Sequence, residues 1–204
     1  MEISTVTDEQ VKNTESNEPG FPNVSPGQLA MYVGLASLTV LFTASLVAFY
    51  ITRAQAQAWR PADLPPLPWG LWLNTLVLAL LSIFLRRGEK HLHENLPKAL
   101  GKDFVIASLL SIAFLALQAL NWREVAHAAL QTREKTLYVY TFYSLTVLHA
   151  LHVVGGIAPL LVVARRAPQQ YYAGARKERI KLVRQYWDFL FIVWVILLLS
   201  LWFS

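Results

Sequence analysis

The sequence predicts an all-α membrane protein, a bundle of five transmembrane helices, and three observations carry that prediction. The apolar residues, 55% of the 204-residue chain, are gathered into long blocks rather than spread at the period of a surface helix. Five of these blocks, about 28–52, 68–86, 103–122, 137–164 and 185–204, approach or exceed the ~20 residues that cross a bilayer's hydrocarbon core. The blocks are continuous rather than alternating, which excludes a β-barrel and leaves helices as the structure that satisfies every backbone group in lipid.

The segment before the first block, residues 1–27, is polar and acidic, with one lysine against five Asp and Glu. It has no basic stretch leading into a short apolar core, so it is read as a cytoplasmic tail rather than a signal peptide. Residues 28–204 form the transmembrane domain. The first span carries Ser37, Thr39, Thr43 and Ser45, small residues suited to close helix approach. The proline-rich RPADLPPLP that follows reads as a short, stiff connection. The second span carries Asn74 and Thr75, and the third carries Gln118 and Asn121. The fourth contains LTVLHALHVVGG, with His149 and His152 three residues apart, then Gly155, Gly156 and Pro159; a bend is expected there. The fifth opens with QYWDFLF, which places Asp188 near its start.

The basic residues fix an expected orientation. Thirteen of the 18 Lys and Arg fall in the tail, the second loop and the fourth loop. Those segments share one side if there are five spans. The positive-inside rule then places the N-terminus in the cytoplasm and the C-terminus outside, in a bacterial cytoplasmic membrane. The net charge of +5 is topological and meets anionic lipid headgroups, so no nucleic-acid partner is implied. Trp59, Trp69, Trp72, Trp122 and Trp202 stand near span ends, where aromatic belts form.

Intramembrane polar residues are the candidates for function. One amide, imidazole or carboxylate on each of four spans points to a structural polar network of Asn74, Gln118, His149, His152 and Asp188. The two histidines lie on one helix face. They are expected to donate hydrogen bonds to neighbouring helices rather than to hold a metal, which needs a third and usually a fourth ligand. The other histidines, His91, His93 and His127, fall in or near expected loops, the first two in a solvated EKHLHE segment. With no cysteine, iron–sulfur clusters, thiolate copper sites and CxxCH haem attachment are excluded. No P-loop, HExxH or nucleophile–base pair is visible, so no residue is assigned as catalytic, cofactor-binding or metal-ligating.

From about Met31 to Phe203 the motifs resemble, in order, subunit III of the haem–copper terminal oxidases. Ser37, Phe42, Tyr50 and Arg53 are in register with the family's Ser-Glu-x-x-x-Phe helix. Asn74 and Thr75 match its proline-led Asn-Thr helix, and Gln118 its Leu-x-x-Gln helix. LTVLHALHVVGG is similar to its His-x-x-His-Val-x-Gly-Gly signature. Tyr186, Trp187, Phe189 and Trp194 match the closing aromatic helix. Two of the family's acids correspond here to Leu38 and Asn121, so no role of those two carboxylates carries over. In the last helix the family's His and Asp correspond to Asp188 and Phe191, which makes Asp188 a new acid, expected to pair with a base or a polar neighbour.

The resemblance implies the five-helix form of the cytochrome c oxidase subunit III fold, without the two helices that wall a lipid-filled cleft in seven-helix members. It implies a non-catalytic accessory subunit of a proton-pumping cytochrome c oxidase. Such a subunit has no redox centre of its own but belongs to an oxidoreductase complex that reduces dioxygen to water. No cofactor is expected in this chain, and haem and copper are expected in partner subunits. The implied partners are the catalytic haem–copper subunit I, subunits II and IV, and membrane phospholipids, with Arg53, Trp59, Tyr186 and Trp187 as lipid or interface candidates. The rival readings are an accessory subunit of a quinol oxidase or nitric oxide reductase, and a small independent transporter.

Overall fold

The computed structural model describes residues 25–56, 59, 67–131, 137–169 and 177–204. The acidic tail up to residue 24, most of the proline-rich first connection, and Lys12, Arg60, Arg133, Lys135 and Arg176 among the basic residues lie outside them. The described residues form five long helices: α1 (Pro26–Gln55), α2 (Gly70–His93), α3 (Pro97–Gln131), α4 (Leu137–Arg166) and α5 (Lys177–Trp202), with a 3-10 turn at Ala167–Gln169 after α4. All five are long and apolar enough to cross a membrane.

Each helix extends past its apolar block. α3 starts at Pro97, before the block that opens at 103, and runs on through Asn121 and Trp122 to Gln131. Among the charges assigned to loops, Arg86, Arg87 and Lys90 therefore ride on helical turns of α2, and Lys98 and Lys102 on those of α3. His91 and His93, expected in or near a loop, belong to the last turn of α2, and His127 is exposed on α3. Hydropathy marks what lipid can cover, whereas helix length is set by capping, so the two boundaries need not coincide. α4 is one helix with Pro159 inside it.

The caps are readable residue by residue. Ser25 begins α1 with a capping box. Its Oγ accepts from the Gln28 backbone N–H at 3.3 Å, and the Gln28 side chain accepts from the Ser25 N–H at 3.0 Å. Pro26 fills the first helical position, where no donor is needed. Just past the end of α2 comes Asn95, whose φ of 57° is left-handed. Leu96 N–H donates to His91 O at 2.9 Å and Asn95 N–H to Leu92 O at 3.3 Å, the paired bonds of a Schellman turn. Pro97 then opens α3 at once. Three residues thus reverse the chain and make α2 and α3 an antiparallel hairpin.

Helix contacts define a closed ring. α2 packs on α3, α3 on α4, α4 on α5, and α5 returns to α2, while α1 lies outside against α4 and α5. α1 and α5 are parallel, since Gln28 Nε2 donates to Glu178 at 2.9 Å near their starts and Tyr50 OH donates to Ser200 Oγ at 3.0 Å near their ends. The core holds Leu71, Leu78, Leu81 and Leu85 of α2, Phe104 and Phe114 of α3, Phe142 and Leu160 of α4, and Trp187, Leu190, Trp194 and Leu197 of α5. α1 buries only Phe42 and Phe49. Large apolar side chains such as Leu109, Leu151, Val154 and Ile192 point outward, as a bilayer-spanning surface requires.

α4 and α5 approach closely at Gly156. A Cβ there would lie 2.8 Å from Tyr186 Cε1 and 2.9 Å from Trp187 Cζ2, whereas one on Gly155 meets only the Tyr186 hydroxyl at 4.0 Å. Two adjacent glycines thus have different duties. Gly156→Ala is expected to destabilise the chain by about 1–3 kcal/mol, the usual cost of overpacking, and Gly155→Ala to leave it unchanged. Thermal unfolding in mild detergent checks both, and equal effects at the two positions would overturn the assignment.

Candidate functional site

The candidate site is a set of polar contacts between helices, and the ring topology decides which of them meet. At mid-bundle, Asn74 of α2 donates through Nδ2 to Gln118 Oε1 of α3 at 2.6 Å, and both residues are fully buried. One helical step along α2, Thr75 Oγ1 donates to Leu71 O and accepts from the Trp194 indole N–H of α5 at 3.0 Å. These two contacts bond α2 to both of its ring neighbours.

The histidines behave differently from expectation and from each other. His149 is fully buried and neither ring nitrogen has a hydrogen-bond partner. Aromatic rings surround it: Trp194 at 5.1 Å between centroids, Phe114 at 5.8 Å and Phe42 at 6.2 Å. His152 Nδ1 lies 2.7 Å from Leu148 O. A carbonyl only accepts, so Nδ1 carries the proton and the bond stays within α4. Its ring faces Phe42 of α1 at 5.2 Å. Among the described residues the expected side-chain bonds from these histidines to other helices are therefore absent. The cross-helix hydrogen bond at His152, among the described residues, uses its backbone: Tyr186 OH of α5 donates to His152 O at 2.8 Å. The physical reason is that α4 turns this face to aromatic side chains, which pack the imidazoles as flat rings and offer them no acceptor.

Asp188 lies away from both histidines, at the end of the bundle where α2 finishes and α5 begins. Its Oδ2 accepts from Arg184 Nη1 at 2.7 Å and lies 3.5 Å from Arg86 Nη2, while Arg184 Nε reaches Glu89 at 2.5 Å. Asn74, Gln118, His149, His152 and Asp188 thus form no single network. They fall into an amide pair, an aromatic-packed imidazole pair and an ionic clamp between α2 and α5.

The lipid or interface candidates also separate. Trp187 is 1% exposed, packed against Gly156, and so belongs to the core, not to an interface. Its position in the chain suggests a span end, but α5 extends ten residues before it and carries it inward. Tyr186 is half-buried as the donor to α4. Trp59 is wedged between Phe49 at 5.4 Å and Tyr138 at 5.8 Å. Arg53 is half-buried in the last turn of α1. The exposed aromatic cluster at a helix end is instead Trp69 and Trp72 of the α2 start, both edge-on to Trp202.

Sequence reasoning missed four contacts. Asp103 is buried and holds His91 Nδ1 at 2.7 Å and Arg87 Nε at 3.6 Å, so EKHLHE is not simply a solvated segment. Trp122 Nε1 donates to Thr146 at 3.0 Å, and Tyr143 OH donates to Trp122 O at 2.5 Å. The signal that could have found Asp103 is an acid just inside an apolar block, since such a group needs a base nearby.

Among the described residues no group of three or more His, Asp or Glu side chains is placed to hold a metal ion. His149 faces rings, and among the described residues no further His, Asp or Glu stands with the histidine pair to complete a ligand set. The histidine pair does not fit a haem or copper.

Residues 23–204 match the family model described as cytochrome c oxidase subunit III. The chain is 29% identical over 165 residues to a cytochrome c oxidase subunit 3 of Synechocystis sp., covering 80% of this chain and 69% of that protein. It is 30% identical over 173 residues to a probable cytochrome c oxidase subunit 3 of Mycobacterium tuberculosis, covering 82% of this chain and 83% of that one. A cytochrome c oxidase subunit 3 of Thermostichus vulcanus is 25% identical, with 83% of each chain covered.

Two substitutions test the geometry. His149→Phe keeps a flat ring in an aromatic pocket and removes two unpaired polar atoms, so the thermal midpoint in detergent is expected to hold or rise. A large fall would mean that the imidazole has a partner. Asp188→Leu strips the acceptor from Arg184 and Arg86 and is expected to lower stability by roughly 1.5–3 kcal/mol, the range for hydrogen bonds to charged groups. The same assay reads it.

Proposed function

Because the chain belongs to the cytochrome c oxidase subunit III family, we propose that it works as a non-catalytic accessory subunit of a proton-pumping respiratory terminal oxidase. The observation that carries this reading is the family match, which spans all five helices. The chemistry of the chain supports it. Asn74 is bonded to Gln118, Thr75 to Trp194 and Asp188 to Arg86, while His149 is enclosed by rings; these are contacts that hold helices together.

On this reading the haems and copper sit in the catalytic subunit I and in subunit II, with subunit IV and phospholipids as further neighbours, and cytochrome c is the electron donor. The subunit's contribution is to stabilise subunit I. The chain lies in a bacterial cytoplasmic membrane with its N-terminus inside. Clustering of charge supports that orientation: Arg86, Arg87, Lys90, Lys98 and Lys102 of the α2–α3 hairpin lie at the same end as Arg165 and Arg166 of α4 and Lys177, Arg179, Lys181 and Arg184 of α5, and cytoplasmic ends are the basic ones.

The test is purification through a tag on this chain. A haem–copper subunit is expected to co-purify and to oxidise cytochrome c, and deletion of the chain is expected to leave the haem spectrum of the remaining complex unchanged while shortening its working life. A stable homo-oligomer free of any haem protein would overturn the assignment, and quinol oxidation or nitric oxide reduction would redirect it. Orientation is read separately. The chain has no cysteine, so Glu94→Cys introduces a single thiol, expected to react only with reagents that reach the cytoplasmic face.

A further inference from the structure

The α2–α3 hairpin carries two cavities that share a pair of lysines. The first, about 670 Å³, lies along α2 and the start of α3 and is lined by Phe84, Arg87, His91, Leu96, Lys102 and Ile106 among others. The second, about 570 Å³, opens on the other side of α3 against Gly101, Val105, Ala164 and Pro168. Lys98 and Lys102 line both. They are exposed, stand one turn apart on α3, and make no ion pair among the described residues. At that spacing two side chains share one helix face and their ammonium groups can converge on one anion. Asp103, which follows Lys102 in the chain, does not neutralise them, because it is buried and held by His91 and Arg87.

Below the lysines the same face of α3 turns apolar. Val105, Ile106, Leu109 and Ile112 are all exposed and continue the line of Lys98 and Lys102 at three- and four-residue steps. A cationic head above two apolar-floored grooves, at the end of a membrane-spanning helix, has the chemistry of a phospholipid site. We propose that Lys98 and Lys102 bind the phosphodiester of an anionic glycerophospholipid, with its acyl chains running down both sides of α3. A free phosphate would use the two ammonium groups but neither groove nor the apolar stripe, which is why a lipid is favoured. Among the described residues α1 packs on α4 and α5 and not on this hairpin, so it does not cover the site. The Schellman turn at Asn95 holds the first cavity's rim in shape before any lipid arrives.

The experiment uses the complex purified through this chain, stripped of lipid in detergent and offered dioleoylphosphatidylglycerol or dioleoylphosphatidylcholine, with bound lipid counted by native mass spectrometry. The wild type is expected to retain phosphatidylglycerol in preference to phosphatidylcholine. Lys98→Gln with Lys102→Gln is expected to weaken that retention on the order of twentyfold, from the attraction of two lysines to an anionic headgroup. Lys177→Gln with Lys181→Gln removes the same charge from α5 at the same end and is expected to change little. Equal losses in the two double variants, or equal retention of both lipids, would overturn the proposal. Displacement of phosphatidylglycerol by millimolar inorganic phosphate would instead identify a free-anion site and would likewise overturn it. The readout is lipid rather than oxidase turnover, so this inference and the functional assignment can fail independently.

Discussion

The contact between α2 and α5 closes the ring, and the other helix positions depend on it. These helices are far apart in sequence, and lipid supplies no hydrophobic drive to bring them together, because acyl chains are as apolar as leucine. The structure joins them at three levels. Arg184 binds Glu89 of α2 and Asp188 of its own helix, and Arg86 reaches across to Asp188. At mid-bundle Trp194 donates to Thr75. At the far end Trp72 and Trp202 meet edge-on. Charge works at the end where water is near, a hydrogen bond works in the middle, and aromatic packing works at the opposite boundary. Each device suits the dielectric of its depth.

With the ring closed, the space inside is filled by rings rather than by hydrogen bonds. His149 shows the consequence. Trp194 has its N–H directed to Thr75 and packs its face near His149, while Phe114 and Phe42 cover other sides. A buried imidazole without an acceptor is destabilising relative to an apolar ring of the same shape. It persists here beside two contacts that do fix geometry, Tyr186 to the His152 carbonyl and Gly156 against Trp187. The fixing elements of LTVLHALHVVGG are thus a main-chain carbonyl and a missing Cβ, whereas its most conspicuous residues pack as flat rings.

That contrast marks the limit of what the sequence discloses. The five helices are legible because bilayer thickness imposes a length on any apolar run, and the α1 start is legible because Ser25, Pro26 and Gln28 form a cap from local residues alone. Partner identity is not local. Nothing in HALH distinguishes a histidine facing a carbonyl from one facing tryptophan, and nothing in QYWDFLF distinguishes an interfacial tryptophan from a core one. Trp187 depends on how far α5 extends before it, and that extension is polar and invisible to hydropathy. Asp188 could be read as needing a base. Arg184 lies one turn away on its own helix, but Arg86 is supplied by a helix about a hundred residues earlier.

α1 shows the same division between connection and contact. It precedes α2 in the chain, yet among the described residues it packs only on α4 and α5. A helix parallel to its neighbour cannot reach it through a short turn, so chain connectivity does not dictate where α1 lies. Its contacts do: Ser25 and Gln28 meet Glu178, Phe42 meets His152 and Phe189, and Tyr50 meets Ser200. Ser37, Thr39, Ser45 and Thr52 return their hydroxyls to carbonyls one turn back in α1, so its outward face leaves none of those four donors unsatisfied in lipid. A peripheral helix held at three points along its length, and self-sufficient elsewhere, can occupy the groove between α4 and α5 without help from the ring's interior. The ring is the structural unit, and α1 is fitted to its outside.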